Sequence, residues 1–255
     1  MIRKAIVLAG GKGTRLMPLT QAMPKEMIRV GFKPVIEHVV DALQSGGIDQ
    51  LLIIVGRKKE SIIDHLGSGS RLKVDIYYKV QDEPKGTAHA VLQGRNFIDL
   101  DDFIVMYGDN YFKPYKFVEK ILEFHSLNNA DVTLATYPVT DPERYGIVKL
   151  NKVGKVLKMI EKPSFEEAET YKVEGKYQAI AGLLVCSNNI FDYIEKTKVG
   201  KNEEYWLTDT IELMRTERKN IMGFPLQGKR YDVGTFESLI EADQFEIENY
   251  RSTIT

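Results

Sequence analysis

The run Leu8-Ala9-Gly10-Gly11-Lys12-Gly13-Thr14-Arg15 is rich in glycine and ends in a guanidinium. Glycines let backbone N–H groups approach anionic oxygens, and Arg15 adds a planar donor fork that suits phosphate. No Gly-Lys pair in the chain is followed by Ser or Thr, which excludes the usual P-loop, and Leu16 stands where the dinucleotide fingerprint has its third glycine. On spacing alone, a plain tight turn remains an alternative. Pro24-Lys25-Glu26 follows closely enough for Lys25 to fold back onto the same anion, although a single lysine is ordinarily a surface residue.

Asp109 leaves the apolar run Phe103 to Tyr107 through Gly108, which puts a carboxylate at a strand exit. Such an acid can hold Mg²⁺, a hard cation that prefers carboxylate and phosphate oxygens, and it can equally cap a turn. Asp232, in Tyr231-Asp232-Val233-Gly234-Thr235, has the same two readings, and the two acids could converge on one metal. Glu161-Lys162-Pro163 closes an extended run: Pro163 stops the ladder, Lys162 can neutralise a second anion and Glu161 can accept from hydroxyls. Taken alone, this pair is a solvated charge pair at a strand end. His38, His65, His89 and His125 show no metal-ligand spacing. The single cysteine, Cys186, lies in an apolar run and reads as a buried strand residue, so a disulfide framework is excluded.

These residues need elements to position them. Lys4 to Ala9 reads as a buried strand feeding the glycine loop, the place where open α/β sheets bind ligands. Helical spacing of Val35, Ile36, Val39, Val40 and Leu43 predicts a helix from Pro34 to Leu43, ended by Gly46-Gly47. Further strands are expected at Leu51 to Val55, Asp75 to Tyr78, Phe103 to Tyr107 and Val132 to Tyr137, with helices at about Lys59 to Leu66, Thr87 to Arg95 and Phe117 to Phe124. This alternation argues for a largely parallel sheet covered on both faces. Gly146 to Leu150 and Val156 to Glu161, joined through Gly154, break the rhythm as a hairpin laid on that sheet. Ala179 to Val185 and Ile221 to Pro225 are expected strands, and Tyr205 to Arg215 and Thr235 to Tyr250 helices.

A chain of 255 residues with 43% hydrophobic content can bury one substantial core, so a single domain over residues 1–255 is expected. Basic and acidic residues, 35 against 36, leave no global field that would draw nucleic acid or an anionic membrane. The apolar run Ala5 to Ala9 is too short for a signal peptide, and nothing approaches the ~18 apolar residues of a membrane span. A cytoplasmic protein is the expectation.

In order, the glycine loop, Pro24-Lys25, Tyr107-Gly108-Asp109-Asn110, Tyr145-Gly146-Ile147-Val148, Glu161-Lys162-Pro163 and Tyr231 to Thr235 resemble the sugar-1-phosphate nucleotidyltransferase family. The resemblance runs from Ala5 to about Glu248 and lies nearest the glucose-1-phosphate thymidylyltransferase and uridylyltransferase branches. It implies an α/β fold, a Rossmann-like three-layer αβα sandwich around a mixed, mostly parallel sheet with an inserted β-hairpin. It implies that a pyrimidine nucleoside triphosphate, dTTP ahead of UTP, joins glucose 1-phosphate with release of pyrophosphate, aided by Mg²⁺. Carried over, Leu8, Ala9, Gly10, Gly11, Gly13 and Thr14 would hold the triphosphate, with Gln81 and Gly86 at the base. Arg15 and Lys25 would stabilise the departing pyrophosphate, and Asp109 and Asp232 would hold the metal. Gly146, Glu161 and Lys162 would receive the sugar 1-phosphate. Ala181 stands before Gly182 where several relatives carry Asn or Thr, and the chain stops soon after the final helix, so the tetramer and allosteric site of longer relatives do not carry over, although a homo-oligomer stays compatible. A regulatory subunit of the same fold would be expected to lack one of Arg15, Lys25, Asp109, Lys162 or Asp232, and all are present.

Overall fold

The computed structural model describes residues 2–56 and 58–254. Its main strands are β1 (Lys4–Ala9), β2 (Gln50–Val55), β3 (Asp75–Val80), β4 (Phe103–Tyr107), β5 (Asn110–Lys113), β6 (Val132–Val139), β7 (Gly146–Leu150), β8 (Val156–Glu161), β9 (Tyr177–Cys186), β10 (Ile221–Pro225) and β11 (Lys229–Asp232). The main helices are α1 (Val35–Ser45), α2 (Glu60–Leu66), α3 (Thr87–Leu92), α4 (Phe117–Leu127), α5 (Ile190–Lys196), α6 (Leu207–Thr216) and α7 (Phe236–Ile254). The central sheet runs β8-β7-β9-β4-β1-β2-β3, with β3, β2, β1 and β4 mutually parallel. β6 lies along the other edge of β9 and carries β10 parallel to it.

Successive residues of a strand point to opposite faces. Val7, Ile53 and Met106 accordingly join one core cluster with Val39 of α1 and Val118 of α4. Ile6, Ile54 and Val105 join a second with Val91 of α3 and Ile211 of α6. Runs such as Leu51 to Val55 are apolar at every position because both faces are covered, which makes the three-layer αβα sandwich.

Several expected boundaries move by one to four residues, and one helix breaks. The helix expected from Thr87 to Arg95 stops at Leu92, ahead of Gly94, a weak helix former that packs on the sheet so closely that a Cβ there would lie 2.4 Å from Ile6 Cδ1. The hairpin β7–β8 is present, with Gly146 opposite Glu161, but it continues the main sheet by pairing Ile147 and Val148 with β9 instead of lying across it. Helix α5 and the two-stranded ladder β5–β11 are elements that the sequence pattern did not announce. No helix among the described residues is long and apolar enough to cross a membrane.

Candidate active site

One edge of β9 is divided. Leu183 to Cys186 pair with β4, whereas Gln178 and Ala179 pair with β7. Between them the strand bulges at Gly182, whose φ of 74° and lack of a Cβ let Asn110 pack on its backbone; a Cβ would sit 2.6 Å from Asn110 Nδ2. The sheet therefore opens beyond the carboxyl end of β4, the kind of switch point at which α/β sheets bind ligands.

The glycine loop leaves β1 into this opening. Gly13 adopts a left-handed φ of 65°, and Thr20 Oγ1 donates to its carbonyl at 2.8 Å, which pins the turn. Ala9 is the exception among the expected loop residues, since its side chain is buried in the core. Gln81 lies over Gly10, where a Cβ would meet its Oε1 at 3.2 Å. His89 orients that amide: Gln81 Nε2 donates to His89 Nδ1 at 2.8 Å. Burial and the nearby Lys85 lower the pKa of His89, in keeping with a neutral acceptor. Gly86 takes a φ of 100° and packs on the backbone of Tyr205, so its loop is tied to the segment that presents Trp206.

Lys25 folds back as its spacing allows. It forms an ion pair with Asp109, and a Cβ on Gly11 would come within 3.0 Å of its Cε. Burial alone would lower the pKa of this ammonium, but Asp109, Glu26 and Asp232 outweigh burial and raise it. Lys25 is thus a fixed cation. Asp232 reaches the same place through the β5–β11 ladder, which pairs it with Asn110, while the Val233 N–H donates to the Asp109 carbonyl at 2.9 Å. Arg15 Nη2 and Asp232 Oδ1 both crowd the bare Cα of Gly234, at 3.1 and 2.9 Å from an added Cβ. Two adjacent carboxylates without a third His, Cys, Asp or Glu form no closed cage among the described residues. That open donor set fits Mg²⁺, which takes one or two carboxylates and completes its shell with substrate phosphates and water.

On the hairpin side, Thr208 Oγ1 donates to Glu161 Oε2, and Gly146 leaves just enough room for both, since a Cβ would lie 2.7 Å from the hydroxyl. Burial raises the Glu161 pKa against the opposing effects of Thr208 and Lys162. Lys162 adopts φ 42°, with Nζ 3.7 Å from the centre of the Trp206 ring and 4.0 Å from Glu161 Oε1. Trp206, Thr208, Arg144 and Arg230 were not singled out in the sequence.

Two adjoining cavities result. One, of about 430 Å³, is lined by the glycine loop, Gln81 and Gly86; the other, of about 240 Å³, is lined by Gly146, Glu161 and Asp232. Arg15, Lys25, Asp109, Lys162 and Trp206 line both. A larger cleft of about 910 Å³ lies at the other end of the sheet, beside Lys4, Gln50 and His125, and contains none of the motif residues. Size therefore does not mark the chemical site.

Glu26 is the residue that sequence reasoning missed most completely. It is fully buried behind Lys25, and neither carboxylate oxygen has a hydrogen-bond partner among the described residues. Burial pushes its pKa up to about 7, with Lys25 opposing and Asp109 adding to the rise. A carboxyl that keeps its proton in the folded state but loses it when unfolded destabilises the fold as pH rises through the interval from about 4.5 to about 7. Glu26→Met should therefore gain stability over the parent between pH 5 and pH 8, by up to about 3 kcal/mol. Denaturant unfolding at the two pH values measures this, and a gain that shrinks toward pH 8 would contradict it.

The model of the nucleotidyl transferase family matches residues 4–249. The chain is 34% identical over 247 residues to the low-salt glycan biosynthesis nucleotidyltransferase Agl11 of Haloferax volcanii, covering 96% of this chain and 66% of that one. It thus spans just under two thirds of that relative's length. It is 31% identical over 260 residues to UTP–glucose-1-phosphate uridylyltransferase 1 of Staphylococcus saprophyticus, covering 91% and 88% of the two chains. Among solved structures, UDP-glucose pyrophosphorylase complexed with UDP-glucose matches with a TM-score of 0.86 at 27% identity, covering 98% of this chain and 100% of the other. A family match over nearly the whole length, with the loop, the acids and the hairpin gathered in one cleft, makes this chain a member of the nucleotidyl transferase family.

Proposed function

We propose that the protein, as a single nucleotidyltransferase domain, transfers a uridylyl group from UTP to a sugar 1-phosphate, with glucose 1-phosphate as acceptor and pyrophosphate as leaving group. The observation that carries this reading is the pair of adjoining cavities with Arg15, Lys25, Asp109 and Lys162 on their common boundary. Two anionic substrates would meet there. The names of the relatives support UTP ahead of dTTP as donor.

In this reading the glycine loop and Lys25 hold the triphosphate, Gln81 and Gly86 face the base, and Arg15 neutralises the pyrophosphate as it departs. Glu161, whose Oε2 is held by Thr208, accepts from sugar hydroxyls beside Gly146, and Lys162 holds the acceptor phosphate. Asp109 and Asp232 would hold Mg²⁺, which would supply positive charge to offset that of the phosphates. A phosphate oxygen is already a competent nucleophile at neutral pH, so no general base is needed. Coulomb repulsion between two polyanions is the main obstacle, and catalysis rests on alignment and neutralisation.

A direct in-line displacement inverts configuration at the α-phosphorus. With UTP carrying one sulfur on that phosphorus in a single configuration, the sugar nucleotide should form with inversion. Retention would require a covalent enzyme intermediate and contradict the mechanism.

A further inference from the structure

The acceptor cavity contains a guanidinium with no role in the scheme above. Arg230 lies on β11 two residues before Asp232, so strand alternation directs both side chains to the same face, about 7 Å apart along the strand. Its Nη1 donates to the Tyr137 hydroxyl at 2.6 Å, and its guanidinium carbon lies 4.5 Å from the Tyr137 ring centre and 5.8 Å from that of Tyr145. One hydrogen bond and two rings fix the orientation of the fork. Nε is buried with no partner among the described residues. An unsatisfied charged donor is costly, and a neutral hydroxyl would return little of that cost compared with an oxyanion.

The charge around the cavity points the same way. Among the described residues that line this cavity, the cations are Arg15, Lys25, Arg144, Lys162 and Arg230 and the acids are Asp109, Glu161 and Asp232. That leaves an excess of two positive charges, which a phosphate monoester dianion balances. Arg230 and Asp232 line this cavity together.

We infer that Arg230 is a second phosphate-binding cation for the acceptor, gripping the phosphate through its guanidinium from the β11 wall while Lys162 holds it from the hairpin. Tyr137 is its positioning residue. This assignment rests on the reading of the acceptor as a sugar 1-phosphate, but binding can be measured apart from turnover. Calorimetric titration with glucose 1-phosphate and, separately, with UTP should be run on the parent protein and on Arg230→Met, Arg230→Lys and Tyr137→Phe, each checked for an intact fold by circular dichroism.

Arg230→Met should weaken glucose 1-phosphate binding roughly 10- to 100-fold, the range of a charge-assisted hydrogen bond. UTP affinity should stay within about twofold in the same variant, because Arg230 lines only the acceptor cavity. Arg230→Lys should recover part of the loss, since it keeps the charge without the fork. Tyr137→Phe should cost about 3- to 10-fold by freeing the guanidinium. Unchanged glucose 1-phosphate affinity in Arg230→Met, or an equal loss for UTP, would overturn the assignment, and so would a parent protein that does not bind glucose 1-phosphate. The expected binding pattern without any pyrophosphate release would sink the transfer reaction while leaving the phosphate subsite standing.

Discussion

Asp232→Asn should lower kcat by roughly 10³-fold or more while leaving the unfolding transition nearly unchanged, because it removes a charge from the proposed metal site without a change of volume. Asp109→Asn should lose as much activity and also some stability. The difference lies in their partners. Asp109 forms the ion pair with Lys25, and a half-buried lysine left without its carboxylate costs about 1–3 kcal/mol. Asp232 has no ion pair of comparable closeness among the described residues, so its variant separates chemistry from folding more cleanly. Steady-state turnover with saturating Mg²⁺, beside denaturant unfolding, tests both. Activity above about a tenth of the parent in either variant removes that acid from the metal site.

Lys25→Ala should be the next most damaging change, with kcat reduced about 10²- to 10³-fold. Its ammonium lies on the boundary of the two cavities, where the proposed reaction requires charge on the departing pyrophosphate and on the incoming phosphate to be offset. Removal also leaves Asp109 and buried Glu26 facing each other without the cation that both depend on. A stability loss that grows as pH rises and Glu26 ionises should accompany the kinetic loss. Turnover and unfolding at pH 6 and pH 8 separate these effects. A variant with parental kcat and only a raised KM for the triphosphate would reduce Lys25 to a docking cation.

The parts of the fold that the sequence announced are those where burial on both faces forces apolar residues into every position. Ala5 to Ala9, Leu51 to Val55 and Phe103 to Tyr107 are such strands, and the helix around Val35 to Leu43 shows its buried stripe plainly. The β5–β11 ladder was hidden for the opposite reason. Asn-Tyr-Phe-Lys and Lys-Arg-Tyr-Asp are four residues each, carry no alternation and lie more than a hundred residues apart, yet this ladder is what carries Asp232 to Asp109. The convergence of the two acids is therefore a tertiary fact with no local signal.

The site shows the same division. Glycine loops and acids at strand exits stand out because the chemistry of phosphates demands those residue types. Glu26 does not, since a charged residue beside a lysine reads as surface, and nothing local says that Gly108 and the loop will close over it. Thr208 and Trp206 open a helix whose spacing reveals its buried face but not which cavity its first turn borders. Arg230 left one usable trace, its place two residues before Asp232 on a short strand, once that strand is known.

The central claim is tested most directly by pyrophosphate release with Mg²⁺, crossing UTP, dTTP, CTP, ATP and GTP against the 1-phosphates of glucose, galactose, mannose and N-acetylglucosamine. Release should require both partners and be greatest for UTP with glucose 1-phosphate. Silence across the whole grid, or release from a triphosphate alone, would contradict nucleotidyl transfer to a sugar 1-phosphate.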